Sequence, residues 1–131
     1  MSRENVELVR ELYAGLGEGD FWGAAPLIDP TIELRRYGGQ PGVWRGLEDF
    51  AAGVRDYIEA FRDLRIEGEK FVDLGGDRIL VYRRDRGSGR DGGLPFDREL
   101  ADVVTVREGR IVKWQSYWDR AEGLEAVGLR E

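Results

Sequence analysis

One carboxylate lies where the sequence pattern predicts a hydrophobic side chain. In RELADVVTV, residues 98–106, strand alternation places Leu100, Asp102, Val104 and Val106 on one face. An ionised carboxylate buried there without partners would cost several kcal/mol or more. We therefore expect Asp102 to be paired, to be protonated or to take part in chemistry. Asp102 is the first candidate catalytic residue.

The composition restricts which chemistry is open to the chain. Its 131 residues include no cysteine and no histidine. This excludes thiol nucleophiles, thiolate metal sites and histidine as a general base, so proton transfer falls to Asp, Glu, Tyr or Lys. No calcium-loop pattern, nucleophile elbow or dinucleotide fingerprint occurs. We expect no metal site and no cofactor.

The charge balance narrows the class of partner. With 20 basic and 26 acidic residues the net charge is -6, which disfavours nucleic acid and anionic membranes. The segment MSRENVELVREL has no apolar signal core, and no apolar run is long enough to span a bilayer. We expect a cytoplasmic protein whose partner is a small molecule or another protein. The length predicts one domain, residues 1–131.

The hydrophobic period changes from helical to strand-like about halfway along the chain. Helical spacing predicts a first helix that ends at Gly17, a short helix over residues 21–28 capped by Asp20, and a third helix over 47–61. Period two predicts strands at 31–37, 64–74, 78–85, 95–106 and 110–118, and a short helix closes the chain at 120–129. Residues 38–46 are predicted as a loop, and residues 83–93 as a solvated hairpin loop. The order favours an α+β fold, with helices on one face of a curved, mostly antiparallel sheet and a conical pocket between them.

Three segments in fixed order carry a family resemblance: GDFWGAAPLIDPTIEL, VWRGLEDF and EGRIVKWQSYWDRAEGLEAVGL. The chain resembles a SnoaL-like member of the NTF2-like, ketosteroid isomerase-like superfamily over essentially its whole length. The resemblance implies a cone-shaped fold with a pocket, and a homodimer formed through the outer sheet face. The superfamily includes isomerases, polyketide cyclases, epoxide hydrolases, dehydratases and transport factors. Fold alone therefore does not select the activity.

The isomerase residues carry over only in part. In those enzymes a protonated aspartic acid donates a hydrogen bond to the developing oxyanion, and Asp102 falls at its position. The general base aligns with Leu34, so ketosteroid isomerisation by the family mechanism is not expected. The oxyanion-hole tyrosine corresponds to Tyr13 if the helix register shifts by one residue. Asp102 and Tyr13 are thus the candidate catalytic residues.

The epoxide hydrolase residues also match incompletely. The catalytic aspartate on the last strand aligns with Ser116. Arg83 and Asp85 have the residue types of the arginine and aspartate on the facing strand, but their spacing and order differ. The hydrolase mechanism is therefore not expected either.

The alternation along the last predicted strand indicates which residues form the pocket wall. Val112, Trp114, Ser116 and Trp118 share a face, and the matching positions in relatives line the cavity. Two indoles beside one hydroxyl suit a flat or polycyclic apolar ligand, although both tryptophans would equally suit a hydrophobic core. The complete predicted substrate-binding set is Trp114, Ser116, Trp118, Leu34, Leu100, Tyr57, Trp22 and Phe61. Tyr82 and Tyr117 are predicted to face outward, and Trp44 to cover or plug the rim.

Three function classes remain open at this stage. The first is a cofactor-independent isomerase, cyclase or dehydratase in which Asp102 moves a proton and Tyr13 or Ser116 hydrogen-bonds the developing charge. The second is a non-catalytic binder of a hydrophobic small molecule. The third is a dimeric interaction module with a vestigial pocket, in which Asp102 is paired with Arg83 or Arg98.

Overall fold

The computed structural model describes residues 2–90 and 92–129. The helices are α1 (Ser2–Gly17), α2 (Gly46–Glu59) and α3 (Arg120–Ala126), with a short 3-10 helix at Ala25–Leu27. The strands are β1 (Ile28–Tyr37), β2 (Gly42–Arg45), β3 (Phe61–Gly75), β4 (Arg78–Gly89), β5 (Pro95–Arg107) and β6 (Arg110–Tyr117). No helix in the described part of the chain is long and apolar enough to cross a membrane.

The six strands form one open sheet in the order β2-β1-β6-β5-β4-β3. Only β1 and β6 pair in parallel, and all other neighbours are antiparallel. Glu108 and Gly109 both have positive φ, 51° and 75°, which suits the tight turn between β5 and β6. This register places Asp102 opposite Val81 on one side and Ser116 on the other. The predicted α+β cone with a mostly antiparallel sheet is confirmed.

The main hydrophobic core lies between the helices α1 and α2 and the concave face of the sheet. Helical spacing puts Val9, Leu12, Tyr13 and Leu16 on the buried stripe of α1. Each large apolar side chain that is fully buried contributes roughly 1.5–3 kcal/mol, so this stripe holds α1 against the sheet. All the long strands contribute buried side chains to this core; α1 packs mainly against β3, and α2 packs mainly against β1.

A second, smaller core lies on the outer face of the sheet. There α3 packs Leu124 against Leu80, Ala101 and Val103. The Asp119 side chain accepts a hydrogen bond from the Ala121 N–H at 2.9 Å and so caps the start of α3. The other side chains that pack against this core include Tyr82 and Tyr117. Both tyrosines therefore lie on the outer face.

Two segments near the first strand differ from the prediction. Of the predicted helix 21–28, only Ala25–Leu27 is helical, as a 3-10 turn, and Ile28 already belongs to β1. Asp20 accepts the Gly23 N–H in a local turn at 2.8 Å, and Pro26 has no N–H to continue a helix. The predicted loop 38–46 contains strand β2, in which Trp44 lies opposite Leu34 of β1. Glycine and proline on both sides of this four-residue strand concealed its pattern.

The predicted solvated loop at residues 83–93 is wrong over its first half. Strand β4 continues to Gly89, where Ser88 still pairs with Pro95 of β5. Alternation from Ile79 and Val81 carries Arg83 and Asp85 onto the concave face, and both are buried. The charged composition of this segment favoured solvent exposure, but the period-two alternation of β4 sets the direction of these side chains.

Candidate functional site

The concave face and the helices enclose a cavity with two chambers. The first, about 220 Å³, is walled mainly by apolar side chains, among them Leu12, Leu34, Phe50 and Trp114. The second, about 210 Å³, lies towards Gly38, Phe61, Leu100 and Trp118. For scale, an apolar cavity of about 150 Å³ is large enough to bind benzene. Each chamber therefore has room for a ring system.

Four polar side chains line both chambers: Arg36, Tyr57, Arg83 and Ser116. We call them the waist. Arg36 comes from β1, Tyr57 from α2, Arg83 from β4 and Ser116 from β6. A few convergent polar groups in an otherwise apolar cavity are typical of a small-molecule site.

Behind the waist lies a buried group of three charged side chains, Asp85, Arg83 and Asp102, which we call the ion array. Nε and Nη2 of Arg83 donate to Oδ1 and Oδ2 of Asp85, both at 2.8 Å. Nη1 of Arg83 donates to Oδ2 of Asp102 at 3.0 Å and to Oγ of Ser116 at 3.2 Å. Both aspartates are 0% exposed and Arg83 is 7% exposed. Burial lowers the pKa of Arg83, but the charges of Asp102 and Asp85 outweigh it and raise that pKa well above its usual range.

Asp102 accepts hydrogen bonds from two further donors besides Arg83. The Tyr13 hydroxyl donates to Oδ2 at 2.5 Å, and Nε1 of Trp114 donates to the same oxygen at 3.0 Å. Burial, followed by the Asp102 charge, raises the pKa of Tyr13 and keeps the phenol protonated. The carboxylate on the apolar strand face is thus paired, and it lies outside the residues that line either chamber.

Asp85 is connected to the cavity by Tyr57. The Tyr57 hydroxyl donates to Oδ2 of Asp85, and Tyr57 itself lines both chambers. Burial, followed by the Asp85 charge, raises the pKa of Tyr57. The phenol is therefore a neutral group between the cavity and a buried carboxylate.

A comparison of the sequence with models of known protein families identifies the family of this chain. The family model for the SnoaL-like domain matches residues 9–114. The chain belongs to the SnoaL-like domain family. We found no match among curated proteins.

Solved structures share the architecture of this SnoaL-like domain. An NTF2-like protein of unknown function from Burkholderia pseudomallei K96243 is 22% identical, with a TM-score of 0.76 over 95% of this chain and 98% of that one. A putative SnoaL-like polyketide cyclase from Jannaschia sp. CCS1 is 20% identical, with a TM-score of 0.75 over 99% and 95%. TerC, co-crystallized with polyporic acid, is 19% identical, with a TM-score of 0.75 over 95% and 98%. At these identities the likeness establishes the fold.

The eight residues predicted to bind substrate all line the cavity of the SnoaL-like domain. The first chamber contains Trp114, Ser116, Leu34, Tyr57 and Trp22, and the second contains Trp118, Leu100 and Phe61 together with Ser116 and Tyr57. Trp114 is also part of the main core, so both interpretations of that indole hold. Contact with a substrate stays a prediction for all eight residues.

The two candidate catalytic residues are placed differently. Asp102 and Tyr13 hydrogen-bond each other behind the wall formed by Arg83, Trp114 and Ser116. Neither lines a chamber, and their part in proton transfer stays a prediction. Trp44 does not cover the rim, because it packs beneath α2 against Gly53.

Sequence reasoning missed Arg36 as a cavity residue. Alternation along β1 carried the signal, since Arg36 follows Ile32 and Leu34 on the face that points inward. The Arg36 guanidinium lies 4.7 Å from the ring centroid of Trp44 and 5.3 Å from that of Tyr57. No group of three or more Asp and Glu side chains suited to a metal ion occurs within residues 2–90 and 92–129.

Proposed function

We propose that this SnoaL-like domain is a cofactor-independent enzyme that carries out acid–base chemistry of the isomerase, cyclase or dehydratase type. Its substrate is a small, largely apolar molecule that is held in the cavity with one oxygen atom at the waist. One observation carries the proposal: hydrogen-bond donors converge on an apolar cavity, and buried carboxylates lie directly behind them.

The buried charges themselves support a functional role. Removing ions from water costs several kcal/mol each, and well-packed apolar residues often replace a buried ion array without loss of stability. Groups that lower stability in this way are commonly retained for function. The ion array presents Arg83 to both chambers, so its charge is available to a bound molecule.

In the proposed reaction Tyr57 and Asp85 move the proton. The substrate gives a proton to the Tyr57 oxygen while the Tyr57 hydroxyl proton passes to Oδ2 of Asp85, so the phenol never ionises. The electron pair stays on the substrate as an enolate, whose oxygen accepts hydrogen bonds from Arg83 and Ser116. Reversing the relay returns the proton at another atom and completes an isomerisation. Asp102 keeps Arg83 oriented from behind.

The experiment is a turnover panel of enone, epoxide and polyketide-like probes with the wild type, Tyr57→Phe and Asp102→Asn. We expect the wild type to convert at least one probe, and Tyr57→Phe to lower kcat roughly 100-fold or more because the relay is broken. Asp102→Asn is expected to lower kcat through a misplaced Arg83. Equal rates in the wild type and Asp102→Asn would remove Asp102 from the chemistry. Failure to convert any probe would contradict the enzymatic proposal.

A non-catalytic binder is the second candidate. The observation that favours it is that both carboxylates of the ion array are fully buried and already hydrogen-bonded. TerC was crystallized with polyporic acid, which supports small-molecule binding by this fold. A binder would give saturable heat in calorimetry with the same probes and no product.

A homodimer through the outer sheet face stays part of the proposal. That face carries ion pairs between Arg84 and Asp97 and between Arg120 and Glu69, both at 2.8 Å, and α3 covers part of it. Sedimentation equilibrium measures the mass in solution. A monomer at all concentrations would contradict the homodimer, and with it the alternative in which the domain is a dimeric interaction module.

A further inference from the structure

Arg36 is the residue of the waist that the proposed reaction does not use. Its Nη2 donates to the Gly53 carbonyl at 2.9 Å, and its other N–H groups have no hydrogen-bond partner within residues 2–90 and 92–129. No carboxylate of those residues forms a salt bridge with Arg36. Asp56, which lines the second chamber with it, is exposed and remains beyond salt-bridge distance.

The two guanidiniums of the waist differ in how their charge is balanced. Arg83 is hydrogen-bonded to two carboxylates, whereas Arg36 is held by two aromatic rings and one carbonyl. Burial, followed by the Arg83 charge, lowers the pKa of Arg36, and the Asp102 charge raises it by less. Among the charged groups Arg83 has the largest effect on Arg36, and Asp102 and Asp56 have smaller, opposite effects. Both guanidiniums therefore face the cavity, and only that of Arg83 is paired with carboxylates of the described residues.

We propose that Arg36 forms an anion subsite and that the natural ligand is an apolar molecule bearing one carboxylate group. The inference rests on the cavity of the proposed function and deepens it, because it names the class of ligand. A carboxylate at the waist would accept the free N–H groups of Arg36, which are preorganised by stacking between Trp44 and Tyr57. It would also relieve the repulsion between the two guanidiniums.

The walls of the chambers define the rest of the ligand. The first chamber is almost entirely apolar and has a volume of about 220 Å³, so it would take a ring system of one or two rings. Trp22 is 46% exposed and lines this chamber, which places the opening beside it. The ring system then lies on one side of the waist and the carboxylate lies at the waist.

Isothermal titration calorimetry with two matched probes tests the inference. The anionic probe is 2-naphthoate, and the neutral probe is 2-naphthamide, which has nearly the same shape. Hydrogen bonds to a charged group in a desolvated site correspond to roughly a 10- to 100-fold effect on Kd. We expect the wild type to bind 2-naphthoate at least tenfold more tightly than 2-naphthamide. Arg36→Met should abolish that preference, because the lost guanidinium weakens binding of the carboxylate more than binding of the neutral amide.

Two further variants separate the subsite from net charge and from folding. Arg36→Lys keeps the charge and should retain part of the preference, while Arg107→Met removes an exposed charge outside the cavity and should retain all of it. The inference is overturned if the wild type binds both probes equally or binds neither, if Arg36→Met keeps the preference, or if Arg107→Met loses it.

Binding and turnover keep the two proposals distinguishable. Binding of 2-naphthoate that depends on Arg36, without conversion of any probe in the turnover panel, would sustain the anion subsite and remove the enzymatic proposal. Conversion of neutral probes without any preference for 2-naphthoate over 2-naphthamide would sustain the enzymatic proposal and remove the anion subsite.

Discussion

Replacing Asp102 with leucine tests the central feature of the site most directly. The substitution removes the acceptor of the Tyr13 hydroxyl and of the Trp114 indole N–H, and leaves Arg83 with one carboxylate instead of two. All of these partners are buried. The sequence pattern alone would favour leucine at this position, since the strand face is otherwise apolar. The structure predicts that leucine is strongly destabilising.

The expected loss in the free energy of unfolding follows from the buried groups that Asp102→Leu leaves without a partner. Breaking a buried ion pair on one side costs about 3–5 kcal/mol, and each orphaned buried donor costs about 1–3 kcal/mol. The buried leucine side chain offsets about 1.5–3 kcal/mol of this. Because the losses share one site and do not add, we expect the free energy of unfolding to fall by about 3–5 kcal/mol. In a domain of this size that corresponds to a drop in Tm of roughly 10–25 °C.

Urea unfolding of three variants measures this prediction. Ser116→Ala is the matched control, because it removes only the 3.2 Å hydrogen bond from Arg83 and should cost about 1 kcal/mol. The triple variant Arg83→Met, Asp85→Leu and Asp102→Leu retains no buried charge of the ion array, and we expect it to be more stable than Asp102→Leu alone. An Asp102→Leu protein as stable as the wild type would refute the reasoning, and so would a triple variant less stable than the single one. In the first case Asp102 would regain its predicted place as a direct acid or base, since active-site carboxylates commonly cost stability.

Two further predictions concern alkaline pH and helix docking. Burial raises the pKa of Tyr13 and Tyr57, so these phenols ionise in the unfolded chain before they ionise in the folded one. The stability they contribute is therefore complete below about pH 10 and is lost as the pH rises above it. In urea unfolding between about pH 9 and 11.5, Tyr57→Phe should make that loss of stability shallower. A methyl group added at Gly123 of α3 would lie 2.6 Å from the Ala101 Cβ, so Gly123→Ala should lower the free energy of unfolding by about 1–3 kcal/mol. Gly15→Ala in α1 is the control: its methyl group would lie 3.5 Å from the nearest atom, the Asp20 carbonyl oxygen, and should raise the free energy of unfolding by about 0.5–1 kcal/mol.

The fold was predictable wherever one period held over many residues. The stripe from Val9 to Leu16 and the alternation along β5 and β6 each extend over several repeats, so a single atypical residue did not hide them. Strand β2 has only four residues, and its place in the sheet depends on pairing with β1 rather than on its own sequence. Short elements whose stability comes from tertiary pairing leave little local signal.

The site was predictable in its apolar part and in Asp102, whose pairing with Arg83 was one of the stated alternatives and is confirmed, whereas the inward placement of Asp85 and Arg36 was missed. Residue type and alternation sufficed to place Trp114 and Ser116 on the cavity wall. The same alternation applied to β4 would have turned Arg83 and Asp85 inward, but charged residues are rarely buried unless paired, and the pairing joins separate strands. The contact between Tyr13 and Asp102 spans 89 positions in the sequence, which no local pattern encodes.

The ion array and Arg36 together argue that the polar interior serves a ligand. A structural array would be complete with Asp85, Arg83 and Asp102, because Asp102 already has donors from Tyr13 and Trp114 and Asp85 has one from Tyr57. Arg36 donates a hydrogen bond to neither of those carboxylates, and burial, followed by the Arg83 charge, lowers the pKa of Arg36. Such a repulsion is relieved by an anion between the two groups. The fold positions both guanidiniums at the waist and places Asp85 and Asp102 behind the wall, so the remaining N–H groups of Arg36 face the cavity and are available to a ligand.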